Sequence, residues 1–155
     1  MKTLVSVAAL ALTILLGACG GSPAVVTAPT SFPTTANLPT LQITNRVVNL
    51  NGTGSGYKYA KLSLSVVFAD PKGDFLKANG ASLTKLESTF SADNAATIAA
   101  FNDVVTTDVS TKTPEQLATA QGKEALRQQL TKDFNSRLAG GPPVLYVEYV
   151  DFVMQ

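Results

Sequence analysis

The chain has 155 residues, with 12 basic and 11 acidic side chains, one cysteine and neither histidine nor tryptophan. The absence of histidine excludes the commonest general base, the usual ligand of catalytic zinc and every histidine-containing triad. The near balance of charge, without a basic cluster, disfavours nucleic-acid binding, and a single cysteine excludes an intramolecular disulfide framework.

The first 18 residues have the order of an export signal. Lys2 supplies a short positive region, and the apolar run Leu4–Leu16 follows it. This run is shorter than the roughly 20 apolar residues of a membrane-spanning helix. The residues that close it, Leu16-Gly17-Ala18-Cys19, resemble the bacterial lipobox, in which the cysteine is acylated by diacylglycerol and becomes the first residue of the mature chain. We therefore predict a lipoprotein signal peptide over 1–18 and lipidation at Cys19. The alternatives are an ordinary signal peptide with a chance cysteine, and an uncleaved membrane helix.

An uncharged, proline-rich segment follows the cysteine, with Pro23, Pro29, Pro33 and Pro39 before Thr40. Such a segment cannot bury a core, and its prolines keep it extended, so we predict a tether over 19–40. The rest, 41–155, is long enough for one domain. Because Lys2 is the only charged residue of the signal, its removal leaves a formally neutral chain. Membrane attachment would then depend on the lipid rather than on charge.

Two strands open the predicted domain. Segment 41–50 has the composition of a strand, and the glycine-rich run 51–56 has that of a turn. Segment 58–69 alternates with a period of two, which indicates a strand with one buried face. The apolar set of this strand is Ala60, Leu62, Leu64, Val66 and Phe68. The two strands are predicted to pair as a hairpin.

Helices and a last strand follow. Segment 75–90 shows no clear period, so an irregular insertion with at most one helical turn is predicted there. Apolar steps of three and four residues predict a helix over 92–109, with Ser91 as its N-cap. The run Thr113-Pro114-Glu115-Gln116 is typical of a capped helix start.

Apolar residues four apart then predict a longer amphipathic helix over 120–138, ended by Gly140 and the residues after it. Segment 144–154 is apolar on both faces, which favours a central strand covered on both sides. This order of elements predicts a single α+β domain built from a β-hairpin, two amphipathic helices and a C-terminal central strand.

Candidates for catalysis or ligand binding are few. Asp103 and Asp108 are five residues apart on a predicted helix, which puts them on different faces, so we interpret both as solvated surface charge. The glycine run 52–56 lacks the Gly-Lys-Ser/Thr ending of a phosphate-binding loop and precedes a strand, so a hairpin turn is favoured. Four tyrosines on strands are interpreted as sheet packing: Tyr57, Tyr59, Tyr146 and Tyr149. The sequence therefore predicts no catalytic residue, no cofactor and no metal site. An enzyme would need a carboxylate pair that folding brings together.

Phrases spread over residues 46–155 resemble one known family. They are Val47-Val48-Asn49-Leu50 with the strand that follows, Gly122-Lys123-Glu124-Ala125-Leu126-Arg127, Phe134-Asn135-Ser136-Arg137-Leu138, and the closing Val147-Glu148-Tyr149-Val150-Asp151-Phe152-Val153-Met154-Gln155. These phrases, and the order in which they follow one another, resemble those of the flagellar basal body-associated protein FliL family.

The resemblance implies a periplasmic domain with a stomatin/prohibitin-like fold, without catalytic residues. It also implies a homo-oligomer that associates with stator units or the basal body and supports motility and chemotaxis. Relatives usually carry an uncleaved transmembrane helix where this chain has its predicted lipidated Cys19. Gly20 is not the aspartate associated with inner-membrane retention, so the sequence leaves inner and outer membrane open. The alternative is an envelope lipoprotein that uses the same domain for ligand binding or envelope maintenance away from the flagellum.

Overall fold

A computed structural model of the protein describes residues 37–52, 56–138 and 140–155. The predicted signal peptide, Cys19 and most of the predicted tether lie outside these residues. The elements follow in the order β1 (Thr40–Asn49), β2 (Tyr59–Phe68), α1 (Asp74–Lys77), α2 (Gly80–Asp93), α3 (Ala95–Ser110), α4 (Pro114–Ala118), α5 (Ala120–Arg137) and β3 (Val144–Met154). The predicted α+β class is confirmed. In this part of the chain, no helix combines the length and the apolarity that crossing a bilayer requires.

The three strands form one antiparallel sheet with β2 between β1 and β3. The period of two in β2 produces one fully buried face, on which Ala60, Leu62 and Leu64 are 0% exposed. The backbone N–H of Leu50 donates to the carbonyl oxygen of Lys58 at 2.9 Å and closes the hairpin between β1 and β2. The predicted hairpin and the buried face of its second strand are confirmed.

The C-terminal strand lies at the edge of the sheet, so the prediction of a central strand was wrong. β3 pairs with β2 alone among the described elements, and only Val144 and Val147 of its residues are buried. Two shifts of register leave Leu145 and Val150 outside the pairing, where they are 47% and 65% exposed. Bulges of this kind turn side chains out of the regular alternation. The apolar residues that suggested two covered faces are therefore in part bulge residues that face solvent.

Two helices occupy most of segment 75–90, α1 up to Lys77 and α2 from Gly80, so the prediction of an irregular insertion was wrong. The helix α2 begins after Asn79, whose backbone N–H donates to the Ser82 hydroxyl at 3.2 Å. Gly80, which interrupts the apolar pattern, is the first residue of this helix. Ser91 lies inside α2 rather than capping a helix, and Asn94 separates α2 from α3. The described residues thus form three long helices where two were predicted.

A column of aromatic rings joins the sheet to the helices. The rings of Phe101 on α3 and Phe134 on α5 stack with their centroids 4.1 Å apart, and Phe68 on β2 is stacked 6.2 Å from Phe101. Phe90 on α2 meets Phe68 edge-on at 5.3 Å. Aromatic pairs at these separations contribute about 0.5–1.5 kcal/mol beyond the burial of their area. The column fixes α3 and α5 against one face of the sheet.

Two threonine caps set the junction between α4 and α5. The backbone N–H of Thr113 donates to the Gln116 side chain at 2.9 Å, and the Thr113 hydroxyl accepts from the Gln116 N–H at 3.4 Å. This reciprocal pair is the predicted capping box, which is confirmed. Thr119 then caps α5, since its hydroxyl accepts from the Gly122 N–H at 2.9 Å.

Candidate functional surfaces

The predicted lipidation site, Cys19, lies outside the residues that the structure describes, and its acylation stays a prediction. The glycine run is described only at its ends, Gly52 and Gly56, which flank the turn between β1 and β2. Tyr57 lies between this turn and β2 and is 48% exposed, so the prediction that it packs on a strand was wrong.

Tyr149 of β3 packs in the sheet, as predicted. Tyr149 donates its hydroxyl to the carbonyl oxygen of Lys123 at 2.9 Å, and burial raises the pKa of its phenol. The ammonium of Lys123 in turn lies 4.9 Å from the ring centroid of Phe152, within the range of a cation–π contact. The Gly-Lys-Glu phrase at the start of α5 is therefore tied to the closing strand by direct contacts.

The face of the sheet opposite the helices forms a candidate contact surface, which we call the outer sheet face. This face is exposed at Val47 and Val153, whereas Val67 of β2, on the same face, is only 5% exposed. Val47 on β1, Lys61 on β2 and Val153 on β3 are register partners across all three strands, so they share this face. Val47 is 58% and Val153 is 38% exposed. A row of apolar side chains with a lysine at its centre therefore faces outward.

Charged and hydrogen-bonding side chains lie beside this apolar row on the outer sheet face. Glu148 of β3 is paired in register with Ser65 of β2, and Asp151 with Ser63. Both acids are exposed. Exposed valines next to charges of both signs resemble the composition of a protein contact surface, with an apolar centre and a polar rim.

Folding brings two carboxyl groups together where the sequence predicted solvated charge. Asp103 is exposed, as predicted, but Asp108 is only 7% exposed, so its prediction as surface charge was wrong. Asp108 on α3 faces Asp133 on α5, and the two carboxyl groups lie within hydrogen-bonding reach of each other. The Oδ2 atom of Asp108 is buried and has no donor among the described residues.

The surroundings of the pair favour the neutral form of Asp108. Burial, followed by the charge of Asp133, raises the pKa of Asp108 from its ordinary 3.8 to about 6. The Gln129 side chain and the Lys112 ammonium act in the opposite direction and are outweighed. The two aspartates line an open cavity of about 190 Å³ between α3 and α5, together with Thr107 and other residues.

Asp108 and Asp133 are a carboxylate pair that folding brings together, which is what an enzyme built on this sequence would need. In the part of the chain that the structure describes, no three acidic or cysteine side chains are grouped so as to hold a metal ion. Asp133 was not among the residues predicted from the sequence. The signal that could have found the pair is the position of Asp108 four residues after Val104 and one before Val109, on the apolar side of its helix.

Comparison with known proteins gives one result. No curated protein matches the chain. The family model described as flagellar basal body-associated protein FliL matches residues 40–155, from the first residue of β1 to the residue after β3. The matched segment holds every described helix and strand, including the Lys123–Tyr149 contact and the outer sheet face. The chain therefore belongs to the FliL family of flagellar basal body-associated proteins.

Proposed function

We propose that the protein is a non-catalytic accessory or scaffold protein of the bacterial flagellar motor, which is held in the cell envelope by a lipid on Cys19 and faces the periplasm. The single observation that carries this proposal is the family match over residues 40–155. A scaffold acts through contacts, and the domain offers an exposed apolar row on the outer sheet face.

The proposed order of the chain is a signal peptide over 1–18, a tether over 19–40 and the family domain over 41–155. The first strand begins at Thr40, so about 20 residues separate it from the proposed anchor. A proline-rich chain rises about 3.1 Å per residue, which gives this tether a reach of up to about 60 Å. The anchor and the tether would together hold the domain near the membrane while letting it reach a neighbouring motor protein.

We assign the outer sheet face to contacts between copies of this chain. Val47 and Val153 give this face an apolar row, and Val150 is exposed at its edge. Lys61 is positively charged, whereas Glu148 and Asp151 are negatively charged. Each copy therefore presents charges of both signs to another copy. Substitution Val47→Lys should weaken self-association in sedimentation experiments, and Leu76→Lys, at an exposed residue of α1, is the matched control. Equal effects of the two substitutions would contradict this assignment.

The decisive experiment is localisation of the tagged full-length protein in cells with and without stator proteins. We expect focal spots that depend on the stators. The mass of the protein extracted from membranes tests the anchor and should show a diacylglycerol group on an N-terminal Cys19. A uniform envelope signal that ignores the stators would refute the motor assignment, and an unmodified Cys19 in the extracted protein would refute the lipid anchor.

A second function is favoured by one observation, the lipobox-like Leu16-Gly17-Ala18-Cys19 in place of the membrane helix that relatives usually carry. In this reading the same domain serves the envelope, in ligand binding or envelope maintenance, away from the flagellum. Flagellar genes beside the gene for this chain favour the first function, and a genome without flagellar genes favours the second. Deletion that leaves swimming and swarming unchanged in flagellated cells would also favour the second.

A further inference from the structure

We propose that Asp108 and Asp133 form a proton-binding latch between α3 and α5, which is closed when the two carboxyl groups share one proton and loosened when both are ionised. The latch concerns how the domain responds to pH and is independent of the proposed motor function.

The hydrogen-bonding capacity of the two side chains depends on their protonation. Two ionised carboxylates carry acceptors only, so they cannot hydrogen-bond to each other without a proton. Asp108 and Asp133 nevertheless lie within hydrogen-bonding reach, with the Asp108 side chain 7% exposed. Like charges placed this close, one of them out of water, disfavour double ionisation. A single shared proton turns the repulsion into a charge-assisted hydrogen bond between the helices.

Nearby charged and polar groups act on Asp108 less strongly than burial and Asp133 do. The Gln129 side chain hydrogen-bonds to the Asp108 carboxyl and accepts from the Lys112 ammonium at 2.6 Å, and the attraction between Lys112 and Asp108 is the weakest influence on that carboxyl. Arg137 of α5 lines the same cavity. The buried Oδ2 of Asp108 has no donor among the described residues. A proton shared with Asp133 would therefore supply the partner that this oxygen lacks.

The direction of the pH effect follows from linkage. The folded chain holds the proton on Asp108 to about pH 6, whereas an unfolded chain releases it near the ordinary pKa of 3.8. Because the folded state binds the proton more tightly, the pair stabilises the fold below about pH 4 and loses that effect as pH rises to about 6. A difference of about two pKa units corresponds to a roughly 100-fold decrease in the folding equilibrium constant across this window.

The loosened contact would lie beside the edge strand. Asn135, two residues after Asp133, hydrogen-bonds through its side chain to both backbone groups of Val144, the first residue of β3. Ionisation of both aspartates is therefore expected to increase amide exchange in the last turn of α3 and along the second half of α5.

The test compares Asp108→Asn with Asp103→Asn, an exposed carboxylate on the same helix, in the purified mature protein. An asparagine amide can donate to Asp133 without titrating. The folding constant of the Asp108→Asn protein relative to wild type should rise about 100-fold between pH 4 and pH 8. The same ratio for Asp103→Asn should stay within about threefold. A pH-independent ratio for Asp108→Asn would overturn the proposal.

A second measurement covers the case in which Asp108→Asn does not fold. Carboxyl carbon resonances of the wild-type protein should titrate at Asp108 with a midpoint near pH 6, and Asp133→Asn should lower that midpoint. Amide exchange in α3 and α5 should become faster above the same midpoint. A wild-type midpoint near 4, or a midpoint that Asp133→Asn does not lower, would refute the shared proton.

Discussion

Gly122 in the first turn of α5 should be intolerant of any side chain, although it lies in a helix. A Cβ atom at this position would be 1.7 Å from the carbonyl oxygen of Gln116 and 3.0 Å from the hydroxyl of Thr119. The first distance is less than half the roughly 3.5 Å at which nonbonded heavy atoms make favourable contacts. The obstacle is backbone, so the helix α4 has to move rather than a flexible side chain.

The expected cost of Gly122→Ala follows from what moves with α4. Leu117 of α4 is 0% exposed in the core, and the Thr119 hydroxyl caps α5, so a shift of this backbone disturbs both. Overpacking costs about 1–3 kcal/mol, and loss of an N-cap costs about 1 kcal/mol more. Alanine returns about 1 kcal/mol through its better helix propensity. We expect a net decrease of about 1–3 kcal/mol in the free energy of unfolding.

Urea unfolding of the purified protein, followed by circular dichroism, measures this decrease. Gln121→Ala, at the exposed neighbouring position of α5, is the matched control and should stay within about 0.5 kcal/mol of wild type. Propensity alone predicts that Gly122→Ala stabilises the helix. A neutral or stabilising Gly122→Ala would therefore refute the close approach of α4 and α5.

Two further predictions concern the core and the end of α5. The Asn135 side chain donates to the Val144 carbonyl and accepts from the Val144 N–H, each at 2.9 Å. Asn135→Ala therefore leaves two backbone groups without these partners and should lower the free energy of unfolding in urea by about 2 kcal/mol. A loss below about 0.5 kcal/mol would contradict this contact between α5 and β3. Phe101→Ala, which removes the central ring of the aromatic column, should cost about 3–5 kcal/mol in the same assay. Leu76→Ala, at a residue 52% exposed, should cost little, and similar losses for the two variants would be inconsistent with the packing described.

The strands show which parts of the fold the sequence can predict. The alternation of β2 is a local property with one physical cause, the opposite direction of successive side chains, and it predicted the buried face correctly. The position of β3 in the sheet depends on its partners, and apolar residues on both faces were read as two covered faces. Leu145 and Val150 leave the alternation at bulges, and nothing local to the strand marks a bulge.

The helices show a second limit. Asn79 and Gly80 favoured a break in segment 75–90, and in the structure they lie between α1 and α2 and start a long helix there. Leu83, Leu86 and Phe90 follow steps of three and four residues after that start, and all three are half-buried. The pattern was therefore present in the sequence, but an asparagine–glycine pair is compatible with both a turn and an N-cap. The choice between them depends on Phe90 packing against Phe68, which is a tertiary contact.

The carboxylate pair changes how the enzyme hypothesis has to be tested. The angle of about 140° between positions five apart on a helix separated Asp103 from Asp108 correctly, but it could not show which face another helix would cover. The partner of Asp108 is Asp133, which lies on a different helix and 25 residues further along the chain. A perturbed carboxyl in a cavity is a catalytic candidate on general grounds, and structural ion networks perturb pKa values in the same way. The two roles differ in what Asp108→Asn does. If the pair is a latch, the substitution removes a pH dependence of stability and leaves the variant folded and correctly localised. A general acid or base gives no reason for the α3–α5 contact to become tighter when the pair is protonated.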